Sequence, residues 1–248
     1  MKIHIFKDER ALAKTLAVQI AASLGGRPDI VLGLPTGRTP IRLYHELGVL
    51  HAHKQADFSN ATTFNLDEFL GIEPTHPGSY RAFMEEHLFS RVNLNAERIH
   101  VLSGVAPDPD EECARYERAI AAAGGIELQL LGIGTNGHIG FNEPARELAG
   151  RTHRVQLKAS TRRSNATLFG GDLDKVPVEA LSMGMGTILK ARRIVLIATG
   201  KSKAKCVERA VRGPITTKMP ASFLQLHRDV ELMLDESAAA ALNPQQLA

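Results

Sequence analysis

Short runs of β-branched and aliphatic residues alternate with longer amphipathic runs along the whole chain, and this alternation leaves few architectures open. A strand followed by a helical stretch long enough to cross back makes a parallel neighbour, so helices are expected to cover a mostly parallel sheet. The spacing predicts strands over 2–6, 29–34, 62–66, 98–102, 127–132, 153–157, 193–198 and 230–234. Helices are expected over 9–24, 40–53, 79–89, 110–123, 178–180, 185–191 and 201–211, with a short turn near Ala221. No repeat of solenoid period and no Ser/Gly linker divides the chain. Residues 1–248 therefore read as a single α/β domain, a Rossmann-like, doubly wound fold with a mostly parallel central sheet and helices on both faces. The small, polar stretch 237–248 fits either an extension of a last helix or a frayed end.

A chain of 248 residues can bury a substantial core, and 44% hydrophobic with 23% charged residues gives no compositional case for disorder or a membrane span. The net charge is only +3, with acids interleaved among the bases, so there is no basic stripe of the kind nucleic acid requires. Cys113 and Cys206 stand alone in helical stretches and make no disulfide framework, which suits a reducing compartment. Met1 to Phe6 enters an alternating strand pattern directly, without the apolar run of a signal peptide. A cytoplasmic protein is expected.

Ligands of open α/β sheets bind beyond the carboxyl ends of the strands, and four such places stand out. In Leu32-Gly33-Leu34-Pro35-Thr36-Gly37-Arg38-Thr39-Pro40 a strand turns tightly into a helix, with Thr39 expected as N-cap and Pro40 at N1. Free N–H groups and the helix dipole suit a phosphate held by Thr36, Gly37 and Arg38, although a capped turn accounts for the same residues. In Phe64-Asn65-Leu66-Asp67-Glu68-Phe69 two acids end an apolar strand. A shielded Asp67 carboxylate would have its pKa raised toward neutrality, as a general base requires; the alternative is a helix cap by Asp67 with Glu68 solvated.

The third place is Leu130-Leu131-Gly132-Ile133-Gly134-Thr135-Asn136-Gly137-His138-Ile139-Gly140-Phe141-Asn142-Glu143-Pro144. So many glycines bring backbone close to a ligand, and loop folding could let Glu143 orient the His138 imidazole. His138 and Glu143 lack a third ligand beside them, and there is no HExxH or paired-cysteine pattern, so no metal site is expected. The fourth is Ile197-Ala198-Thr199-Gly200-Lys201-Ser202-Lys203, where Lys203 either points back at a phosphate or is solvated surface. A Walker A loop is excluded, since its first glycine would fall at Val195.

Taken with His76-Pro77-Gly78-Ser79-Tyr80 and Leu224-Gln225-Leu226-His227, these segments resemble the glucosamine-6-phosphate deaminase/isomerase family in order and spacing, from the first strand to about Leu234. The resemblance implies an enzyme that takes an amino-sugar 6-phosphate to a keto-sugar phosphate and ammonia without a cofactor. It implies catalytic roles for Asp67, Asn136, His138 and Glu143, and substrate contacts from Thr36, Gly37, Arg38, Thr39, Gly134, Arg162 and Lys203. His138, oriented by Glu143, would open the sugar ring, and Asp67 would move the proton from C2 to C1. Two departures stand out. Asn136 occupies a position where some members have Asp, which an amide can match in orientation but not in charge. Arg38 replaces a family glycine, while Thr167 stands where a downstream phosphate-binding Arg would align. The longer C-terminal segment of allosteric members is absent, and the expected state is a monomer or small homo-oligomer with neither nucleic-acid nor membrane partners.

Two rival readings exist. A 6-phosphogluconolactonase-like hydrolase shares the fold but has a different loop ending, without the acid at Glu143. A non-catalytic sugar-phosphate sensor would be expected to carry a DNA-binding segment before the first strand and to have lost Asp67, His138 or Glu143.

Overall fold

In the computed structural model, which describes residues 1–242, the chain runs β1 (Lys2–Phe6), α1 (Glu9–Gly26), β2 (Val31–Leu34), α2 (Arg38–Ala52), β3 (Thr62–Asn65), β4 (Asp67–Phe69) and α3 (Tyr80–His87). It continues through β5 (Ile99–His100), α4 (Pro109–Ala122), β6 (Leu128–Leu131), β7 (His153–Gln156), α5 (Ala159–Asn165), β8 (Glu179–Ser182) and α6 (Met185–Leu189). Last come β9 (Arg193–Ala198), α7 (Ala204–Arg212), β10 (Val230–Asp235) and α8 (Glu236–Ala239). Seven strands form one sheet in the order β1-β10-β9-β6-β2-β3-β5, every pair parallel.

Strand side chains alternate between faces, and both faces are buried. Leu128, Leu130, Val195 and Ile197 pack with α1, α2 and Met84 of α3 on one side. Leu131, Ile194 and Leu196 pack with Tyr116 of α4, Ile188 of α6 and Val207 of α7 on the other. Two helix layers thus enclose the sheet, as the sequence pattern implies for a doubly wound fold.

The structure also departs from the sequence reading. The stretch 178–180 is not helical: Glu179–Ser182 is β8, the centre of a second sheet in the order β4-β8-β7, antiparallel on both sides. The strand expected over 153–157 belongs there as β7, not to the central sheet. So short a stretch carries too little periodicity to separate helix from strand, so pairing on both flanks decides. Asp67 does not end the strand before it. The chain bends at Leu66, whose N–H donates to Leu34 O at 3.2 Å, and Asp67 opens β4 in the small sheet. The strand expected over 98–102 shrinks to two residues. Of the C-terminal stretch, α8 covers Glu236–Ala239, and 243–248 lie outside the described residues.

Candidate active site

Strand order reverses between β2 and β6: β3 and β5 lie beyond one, and β9, β10 and β1 beyond the other. The crevice at such a switch point is the binding position of open α/β sheets. All four singled-out segments leave the same carboxyl edge, after Leu34, Asn65, Leu131 and Ala198.

The first loop differs from expectation in its cap. Gly37, at φ +94, is the N-cap of α2, and Arg38 is the first helical residue; Thr39 and Pro40 follow inside the first turn. A side chain at Gly37 would be strained at that φ, and no side chain among the described residues satisfies the first amides of α2. The buried Tyr44 hydroxyl donates to Pro35 O and pins the loop from below. Thr36 and Thr39 are half-buried, whereas Gly37 and Arg38 are exposed, and Arg38 makes no ion pair among the described residues.

Asp67 and Glu68 are both buried, at 6% and 2% exposure. The capping acid is Glu68, not Asp67: Glu68 accepts from Tyr80 N and Arg81 N at 2.9 Å each and from Phe69 N at 2.8 Å. Together with Ser79 Oγ, which accepts from Ala82 N at 2.9 Å, it satisfies the first amides of α3. Asp67 accepts no side-chain hydrogen bond among the described residues. Burial, reinforced by the charge of Glu68, pushes its pKa up to about 8. Burial also raises Glu68, to about 7, against the pull of its three amides. Tyr80, to which sequence reasoning assigns no role, bounds the same space. Its phenol is raised by burial and by the charges of Asp67 and Glu68, and lowered by the Thr36 hydroxyl.

The loop after β6 folds back on itself, with Gly134 N donating to His138 O at 3.0 Å and Gly137 N to Gly134 O at 2.9 Å. A Cβ on Gly134 would overlap the His138 ring, and one on Gly137, at φ +86, would overlap the Met219 thioether. Ala221 N donates to Gly137 O at 2.9 Å, tying the loop to the short helical segment that follows Met219. A Cβ on Gly140 would stand 3.4 Å from Asp67 Oδ2, so the loop lies directly against the carboxylate. Asn142 Nδ2 donates to Ile139 O at 2.9 Å and Met183 O at 2.7 Å, anchoring the end of the turn.

His138 is not held by Glu143. Its Nδ1 lies 2.7 Å from Asn136 Oδ1, an acceptor, which makes Nδ1 the protonated nitrogen and leaves Nε2 as the lone-pair site. Glu143 accepts from the Thr161 hydroxyl and pairs with Lys158 Nζ at 3.5 Å, and it reaches His138 only as a nearby charge. Burial lowers the His138 pKa, Glu143 raises it, and Lys203 lowers it again.

Lys203 is half-buried and donates to Ile133 O at 2.6 Å, so it borders the same loop and is not solvated surface; burial lowers its pKa. Arg162 is partly engaged with backbone: its Nε and Nη2 donate to Val176 O at 3.2 and 3.0 Å, and Nη2 to Leu173 O at 2.7 Å, which fastens the stretch after α5. Thr167 is exposed on the short helical segment after α5, whose Asn165 lies 3.5 Å from the Tyr80 hydroxyl. Among the described residues no group of three or more His, Cys, Asp or Glu is arranged to hold a metal ion, and no helix is long and apolar enough to cross a membrane.

A doubly wound domain with an imidazole and a buried carboxylate at its switch point is equipped to move protons on a small ligand held at the strand ends. The chain belongs to the family described as glucosamine-6-phosphate isomerases/6-phosphogluconolactonase, whose model matches residues 8–233. It is 46% identical over 242 residues to the glucosamine-6-phosphate deaminase of Halothermothrix orenii, spanning 98% of this chain and 100% of that one. It is 49% identical over 234 residues to glucosamine-6-phosphate deaminase 2 of Giardia intestinalis, spanning 94% and 89%. A solved monomeric glucosamine-6-phosphate deaminase superposes with a TM-score of 0.93 at 41% identity, covering 97% of this chain and all of that one.

Proposed function

We propose that this chain converts glucosamine 6-phosphate and water to fructose 6-phosphate and ammonia, with no cofactor, as a cytoplasmic monomer or small homo-oligomer. The observation that carries the reading is the Asp67 carboxylate: buried, without a hydrogen-bond partner among the described residues, and lying against the loop that holds His138. The relatives at 46 and 49% identity, named as deaminases, support the same substrate.

The phosphate sits at the start of α2, where the unsatisfied amides beyond Gly37 and the positive end of the helix favour an anion. Lys203 closes the other side. Neutral His138, held by Asn136, takes the C1 hydroxyl proton through Nε2 and passes one to the ring oxygen, giving the open-chain aldehyde. Asp67, ionised, removes the C2 proton, which the adjacent carbonyl makes acidic, and the resulting enolamine is protonated at C1. Water adds to the ketose imine and ammonia leaves. Proton transfer between fixed positions is all the protein must supply. Glu143 acts on His138 through its charge while holding α5 through Thr161 and Lys158.

Ammonia release from a panel of phosphorylated and unphosphorylated amino sugars tests the reading. Activity on glucosamine 6-phosphate supports it; hydrolysis of 6-phosphogluconolactone with no ammonia from any amino sugar overturns it.

Arg38 is proposed to supply the phosphate with the guanidinium that Thr167 does not provide. Hydrogen bonds to charged groups contribute on the order of 1.5–3 kcal/mol, or roughly ten- to a hundredfold in affinity. Arg38→Gly is therefore expected to raise KM for the phosphorylated sugar by about that factor, with kcat changed less, because the phosphate is remote from the reacting carbons. An unchanged KM would leave the phosphate to Lys203 and backbone amides.

A further inference from the structure

Two carboxylic acids stand on consecutive residues at the start of β4, and the reaction proposed above uses only one. Successive strand residues point to opposite faces, so Asp67 and Glu68 do not share a proton directly. They act on each other through the interior, where an effective dielectric far below that of water lets a charge be felt over several ångströms. Their surroundings differ sharply. Glu68 accepts three amide N–H groups, two of them the opening amides of α3, and the amides and helix dipole favour its ionised form; against them burial raises it to about 7, still below the about 8 of Asp67, so Glu68 ionises first. Asp67 has no such donor among the described residues. The titratable groups facing it are Glu68 on its own strand, Tyr80 from α3, Tyr44 from α2 and Tyr116 from α4, and the loop packed against it carries His138, which burial holds toward its neutral form. None is a cation, and a neutral phenol does nothing to offset the charge of Glu68.

We propose that Glu68 is a positioning residue for the reaction: a negative charge fixed by the amides of α3 directly behind Asp67, which makes Asp67 a stronger base and docks α3 so that Tyr80 bounds the cleft. The proposal rests on Asp67 being the base. It gives a buried acid that touches no reacting atom a reason to be an acid. A neutral cap such as serine at this site would satisfy fewer amides and supply no charge.

The test is Glu68→Gln in the full chain, read as the pH profile of kcat/KM for ammonia release. With the charge gone, the rising limb is expected to move toward lower pH by about one unit, the scale on which a neighbouring charge acts. The plateau is expected to fall several-fold, because a weaker base removes the C2 proton more slowly. A limb that stays in place, whatever the loss of rate, overturns the proposal and leaves Glu68 a helix cap. Glutamine cannot accept all three amides, so a measurement that keeps Glu68 stands beside it. Infrared titration of the wild-type carboxyl groups, compared with Asp67→Asn, is expected to lose the step at higher pH and keep the lower one. Loss of the lower step overturns the proposal, since Asp67 would then ionise with no charge behind it. An Asp67→Asn protein that still releases ammonia sinks the base assignment instead, which separates the two failures.

Discussion

Asp67→Asn is expected to lower ammonia release at least about a hundredfold, the usual scale for losing a general base, while the protein folds and binds the sugar phosphate nearly as before. The same substitution is expected to stabilise the protein at alkaline pH. Asp67 titrates at about 8 in the fold against an ordinary value of 3.8. Between these values the folded chain keeps the proton that the unfolded chain has released, so wild-type stability falls as pH rises through that window. Asparagine does not titrate. The variant should therefore match the wild type near pH 3 and exceed it increasingly toward pH 8, where each 1 kcal/mol of gain appears as about 2–4 °C in Tm. Thermal melts at the two pH values and an ammonia assay check both halves. A variant that is less stable at pH 8 than at pH 3, relative to wild type, would place the Asp67 carboxylate in a favourable environment and remove the case for a raised pKa.

His138→Gln is expected to block the ring-opening step by roughly a hundred- to ten-thousandfold, because an amide cannot relay a proton as a neutral imidazole can. The Asn136 contact fixes which nitrogen works: Nδ1 donates to Asn136 and Nε2 faces the reaction. An open-chain substrate analogue, which needs no ring opening, should react with the variant at close to the wild-type rate. Equal loss on the cyclic sugar and on the open-chain analogue would assign His138 to a different step.

Much of this is legible in the order of residues, and the boundary of legibility has a physical cause. The strands β2, β6 and β9 are buried on both faces and therefore read as largely apolar runs bounded by glycine and polar turns, and β3 reads as a strand through its β-branched and aromatic residues Thr62, Thr63 and Phe64. Strand β8 is hidden because its conformation is decided by β4 and β7, more than a hundred and about twenty-five residues away respectively. Helix α5 is hidden for a related reason. Its sequence, Ala159 to Asn165, has no apolar face, and it is held by Thr161 on Glu143 and by Arg162 on the carbonyls of Leu173 and Val176.

The site divides along the same line. Asp67 and His138 stand out as candidates from their residue types just after buried strands; Lys203 reads either as a phosphate contact or as surface, and Asn136 enters only through the family resemblance. Their partners are not legible there. Glu143 and Asn136 are both within reach of His138 along the chain, and only the folded loop shows that the amide takes Nδ1 while the acid turns to α5. Glu68 reads as solvated because consecutive acids usually are; what buries it is the start of α3, twelve residues on.

The strand order has a consequence for how the protein comes to work at all. β2 pairs with β3 some thirty residues on but also with β6, Leu32 opposite Leu128, and β1 finds its partner only in β10, Lys2 opposite Glu231. Closing loops of that length costs entropy before any contact repays it, and such topologies assemble slowly. During synthesis, the half of the cleft carrying Thr36 and Asp67 emerges well before Lys203, and the first strand waits for nearly the last. The cleft is therefore complete only once β9, which delivers Lys203, has paired with β6, whose following loop carries His138.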